Sequence, residues 1–129
     1  MFDVIVDSEI LGVRDRAKAG NLDSMVLLGT YIQKGMHTRK DKNLAMQIFD
    51  YVLTQRDRIP FPETLWNALN QKAYLHHERG EEAIIDELYT EVVQHMVALP
   101  PEQWDHERMM GALRWLKERK ALKESATIE

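Results

Sequence analysis

An all-α fold is what this chain predicts, and three observations predict it. Apolar residues recur at helical spacing, not alternating spacing, along nearly the whole sequence. Glycine and proline punctuate those runs at Gly20, Gly35, Gly80, Pro60, Pro62, Pro100 and Pro101, where helices must end or begin. Only Phe2 to Val6 has the β-branched character of a strand, and no partner strand is evident for it. The expected architecture is about six helices arranged in antiparallel hairpins.

Taken in order, Val6, Ile10, Val13 and Ala17 repeat at steps of four, three and four, so a helix is expected from about Asp3 to Ala19, ending at Gly20. Leu22, Met25, Val26, Gly29 and Ile32 form the next stripe, and Leu44, Ala45, Ile48, Phe49, Val52 and Leu53 the one after. A loop of about seven residues joins these two stripes, which makes them an antiparallel helical hairpin. Asn21 and Asp41 stand where N-caps belong, and Gly20 and Gly35 where the preceding helices stop. Gly29 lies inside a helix, where it costs about 1 kcal/mol relative to Ala, so a neighbouring helix is expected to approach closely there.

After a polar connector, Pro62 suits the first position of a helix running to about Arg79 with Leu65, Trp66, Leu69 and Ala73 inward. Gly80 then turns the chain into a helix over about Glu81 to Ala98, whose wide stripe of Ile84, Ile85, Leu88, Tyr89, Val92, Val93 and Met96 marks it as the most buried element. Asp105 reads as an N-cap between Trp104 and Met109, the spacing of a hydrophobic staple. The last helix is expected over about His106 to Lys123, with Met109, Ala112, Leu113 and Leu116 inward. The whole reads as one domain over 1–123, with a second hairpin at 62–98, a capping helix at 105–123 and a disordered tail at 124–129.

The segment 17–53 resembles the Sel1-like repeats, relatives of the tetratricopeptide repeats. Ala17, Ala19, Gly20 and Asn21 match the opening of that pattern, and Ser24, Leu28, Gly29 and Gly35 match its small residue, Leu-Gly pair and loop glycine. Asp41, Ala45 and Phe49 match the loop Asp, the Ala four residues later and the closing aromatic. Two positions depart from it. Ile32 replaces the usual Tyr, with Tyr31 one place early, and His37 replaces a second loop glycine. The resemblance covers one repeat and implies a fragment of an α-α superhelix, a scaffold for protein contact, with Gly20, Asn21, Leu28, Gly29, Gly35, Asp41, Ala45 and Phe49 as its structural positions.

Length and composition narrow the chemistry. At 129 residues and 44% hydrophobic content the chain can bury a core without metals or crosslinks. With no cysteine there are no disulfides, thiolate metal sites or Cys nucleophile, which favours a reducing, cytoplasmic setting. A net charge of −4 opposes a broad nucleic-acid surface. Met1 to Asp7 lacks the basic and long apolar regions of a secretory signal, and no stretch approaches the roughly 20 apolar residues of a membrane span.

No catalytic or cofactor constellation emerges from the spacing. His76 and His77 are adjacent, and His106-Glu107 lacks the second histidine four residues on that a zinc helix requires, so no metal site and no cofactor are expected. His76 and His95 read as partly buried histidines with local partners. Glu81, Glu82, Asp86, Glu87 and Glu91 read as the solvated face of one helix.

The last helix is the strongest candidate for contact with a partner. On its wheel Trp115 falls away from Met109 and Leu113 and lies with Arg108, Arg119 and Leu122, and Trp with Arg dominates binding hot spots. The expected function is therefore a non-enzymatic protein-interaction module, working through a helical groove or through Arg108, Trp115, Arg119 and Leu122. Its partner is another protein, a second copy included, since one repeat leaves open ends to cover. The alternatives are a small regulatory or inhibitory protein docking on an enzyme or nucleic-acid machine, and a helical enzyme whose site forms only on folding.

Overall fold

A computed structural model describes residues 10–59 and 61–128 of the chain. Among these residues there are six α-helices, two short 3₁₀ turns and no strand. The helices are α1 (Leu11–Lys18), α2 (Leu22–Lys34), α3 (Lys42–Thr54), α4 (Pro62–Arg79), α5 (Glu82–Val97) and α6 (His106–Ile128). The 3₁₀ turns are Arg56–Arg58 and Pro101–Gln103. The helix expected to begin at Asp3 is α-helical from Leu11, and residues 3–9, with the strand-like Phe2 to Val6, lie outside the described residues. Contacts divide the chain into two compact units, Met1–Leu75 and His76–Glu129, with the boundary inside α4.

In the first unit, α2 packs against both α1 and α3. The local chemistry sets each boundary. Gly20 takes φ +99° and Gly35 φ +71°, left-handed values that L side chains resist, so α1 and α2 each stop there. Asn21 accepts a hydrogen bond from the Ser24 amide at 2.8 Å, and Asp41 from the Leu44 amide at 3.0 Å, so each caps a helix whose first amides would otherwise lack partners.

The core of this unit gathers Ala17, Leu22, Val26, Leu28, Ile32, Ala45, Ile48, Phe49 and Val52, with Ala68 and Leu75 from α4. Gly29 is the close point. A methyl built there would stand 2.7 Å from Cε1 of the buried Phe49 ring, so only glycine lets α2 and α3 approach this closely. Polar ties fix α4 to the hairpin within the same unit. Thr64, almost fully buried, donates to Asp23 of α2 at 2.9 Å, and Lys72 pairs with Asp50 of α3 at 2.8 Å.

The second unit is built on α5 against α6. Gly80, at φ +70°, ends α4 with its amide on the His77 carbonyl and the Glu81 amide on the His76 carbonyl, both at 3.1 Å, the paired bonds of a Schellman turn. Ile85, Leu88, Tyr89, Val92 and Met96 of α5 are buried, as are Met109 and Ala112 of α6.

Three expectations are corrected here. The larger buried set belongs to α2 and not to α5, because α2 is flanked on two sides by α1 and α3. Leu113 is exposed, not inward, because α6 meets α5 through Met109 and Ala112 and then through Trp115. The tail expected from Glu124 is helical, since α6 continues to Ile128. No glycine or proline interrupts it, and Lys120 and Glu124 lie 4.0 Å apart one turn on, a pairing that supports helix.

Candidate functional site

The four residues expected to form a binding face differ in their exposure and in the partners they have within the chain. Trp115 is half-buried, and its Nε1 donates to Asp86 Oδ1 of α5 at 2.9 Å. Arg119 Nε donates to the same carboxylate, at 3.2 Å to Oδ1, while its Nη1 donates to Glu82 Oε2 at 2.8 Å. Lys123 Nζ adds a third donor to Asp86 at 3.3 Å. Successive turns of α6 therefore grip one acid of α5.

Aromatic rings complete this cluster. The His77 ring stands edge-on to Trp115 with centroids 4.6 Å apart, Tyr89 packs at 6.1 Å, and the Arg119 guanidinium carbon lies 6.0 Å from the Trp115 ring centre. Tyr89 Oη and His77 Nε2 are 3.5 Å apart. Such edge-on contacts suit ring quadrupoles, and the cation adds to them. Burial alone would raise the pKa of Asp86, but hydrogen bonds from Arg119, Trp115 and Lys123, with the Arg119 charge, hold it below its ordinary value. Asp86 is thus a fixed anion at neutral pH.

Trp115 and Arg119 are accordingly committed to their own chain. Arg108 is committed as well, with its amide on Asp105 Oδ1 at 3.1 Å and its Nε 3.5 Å from Oδ2, where it finishes the cap of α6. Leu122 alone of the four is strongly exposed. The residue that sequence reasoning missed is Asp86, taken for part of a solvated face. A signal for it existed in the spacing. Glu82 and Asp86 are four apart on α5, as are Trp115, Arg119 and Lys123 on α6, so two complementary ladders were available to meet.

The histidines divide. His76 is buried with Nδ1 3.2 Å from Glu81 Oε1, and His95, its side chain 44% exposed, has Nε2 3.5 Å from Glu91 Oε2. Among the described residues no three His, Asp or Glu side chains converge in a way that could hold a metal ion. No helix among them is long and apolar enough to cross a membrane.

The eight residues read from the sequence as structural positions of the first unit serve packing, helix capping or chain reversal. Leu28, Ala45 and Phe49 are wholly buried, Gly29 admits the Phe49 ring, Asn21 and Asp41 cap, and Gly20 and Gly35 reverse the chain. Surface apolar character in this unit comes from other residues, Phe61, Tyr74 and Met36 at 59%, 53% and 46% exposure and, within α2 and α3 themselves, Leu27 and Tyr51 at 41% and 43%. No protein-family model matches the chain, and no curated protein or solved structure matches it.

Proposed function

We propose that this protein is a non-enzymatic, cytoplasmic interaction module of the Sel1-like kind that acts by binding another protein through its α2–α3 hairpin. The observation that carries this reading is the Gly29–Phe49 crossing, which sits at the two repeat positions whose chemistry is most demanding. The loop adds support. His37 stands at the place of the second loop glycine and takes φ +60°, a value that glycine adopts without strain.

With its repeat residues consumed by folding, the hairpin meets a partner through what remains outside, including Leu27 and Tyr51. Because Trp115 and Arg119 are engaged with Asp86, the hairpin is favoured over the Trp115 face as the binding surface. The test is affinity capture from native cells with the full chain and with Leu27→Glu and Tyr51→Glu, each verified as folded by circular dichroism. The reading expects one protein retained by the wild type and lost from at least one variant. Equal retention by all three would refute the hairpin surface, and turnover of a small substrate by the purified chain would refute the non-enzymatic reading.

A further inference from the structure

Gly29 and Gly111 are both interior helix glycines, yet only Gly29 has a packing reason among the described residues. A methyl at Gly29 meets Phe49, whereas a methyl at Gly111 would meet nothing within 4 Å. Glycine there costs α6 about 1 kcal/mol relative to Ala, with no contact among the described residues to explain it. Around it lies an unusual surface. Met110 is 59% exposed, and Glu107, Arg114, Lys117 and Glu118 are exposed without an ion pair to any described residue, although Arg114 and Glu118 have the four-residue spacing that commonly pairs on a helix.

The pattern is symmetric. Glu107 precedes Met110 by three residues, and Arg114 follows Gly111 by three, so opposite charges stand about 4.5 Å along the axis on either side of one peptide step. Being seven residues apart, they lie within about 20° of each other round the helix, with Met110 and Gly111 flanking them on opposite sides. We propose that two copies of this chain associate through this face of α6, antiparallel, about a two-fold axis through the Met110–Gly111 peptide. Met110 of each copy then fills the notch over Gly111 of the other, and Glu107 of each lies opposite Arg114 of the other. Each contact occurs twice, as an isologous interface requires. A parallel pairing would instead set Arg114 against Arg114, which like-charge repulsion opposes. The inference uses α6 alone and does not depend on the hairpin as a binding surface.

Sedimentation equilibrium of the full chain at micromolar concentrations tests it. The wild type is expected to dimerise, Glu107→Arg and Arg114→Glu each to weaken the dimer by about tenfold, and the double swap Glu107→Arg/Arg114→Glu to restore it. Gly111→Gln, which keeps both charges and favours helix, is expected to weaken the dimer while leaving helical content intact. A monomeric wild type would overturn the proposal, as would a dimer indifferent to both single reversals or a double swap as weak as either single one.

Discussion

Phe49 lies directly beneath Gly29, its Cε1 only 2.7 Å from where a side chain at residue 29 would begin. The ring is wholly buried between α2 and α3, so it cannot swing clear without disturbing Leu28, Ala45 and Ile48, which share its core. Gly29→Leu is therefore expected to destabilise by about 1–3 kcal/mol through overpacking. Equilibrium urea unfolding reads it directly as a lower midpoint at unchanged slope. An unchanged midpoint would mean that the crossing is looser than the structure places it.

The Asp86 carboxylate is the second structural commitment. Asp86→Asn keeps its shape but turns an acceptor of three donors into a group whose own N–H₂ faces Arg119. The expected cost is about 2 kcal/mol, the scale of hydrogen bonds to charged groups. The same denaturation measurement checks it, and a loss below a few tenths of a kcal/mol would show the cluster to be ornamental.

Acid should expose the same dependence. Because the folded pKa of Asp86 is lowered, its stabilising contribution is complete above the unfolded carboxylate value of about 3.9 and is lost as pH falls through the folded value. The stability gap between wild type and Asp86→Asn should thus be constant from neutral pH to about pH 5 and shrink below about pH 4. A gap as wide at pH 3 as at pH 7 would contradict the sign of the shift.

Trp115 discriminates between an internal brace and a free binding residue. Trp115→Phe retains much of the ring packing on His77 and Tyr89 but loses the donor to Asp86, and is expected to cost about 1 kcal/mol. Trp115→Ala should cost more, about 2–3 kcal/mol, because a half-buried ring is also removed. Thermal unfolding of both checks the order. A Trp115→Ala variant as stable as the wild type would return Trp115 to the role of a surface residue.

Much of the first unit was legible before folding because its signals are local. A glycine inside a helix, an Asn or Asp one residue before a stripe and a glycine just after one each carry a stereochemical cost or a capping bond, so Gly29, Asn21, Asp41, Gly20 and Gly35 could be placed from spacing. The α5–α6 contact was not legible in this way. A single-helix wheel cannot tell which of two adjacent faces meets a neighbour, and choosing Leu113 over Trp115 turned α6 by roughly half a face. Asp86 was hidden for a related reason. An acid among acids looks solvated until the helix carrying its cations is brought alongside. The end of α6 was misjudged because its apolar stripe runs out near Lys117, whereas Lys117 to Glu124 are good helix formers and no glycine or proline follows before Ile128.

Hydrogen exchange by mass spectrometry, on the complex with a protein captured as proposed above, tests most directly whether the hairpin is the binding surface. If the hairpin is that surface, amides within Leu22–Thr54 gain protection on binding while the α5–α6 pair, held by Asp86, changes little. Protection confined to α6, or none anywhere in the chain, would contradict it.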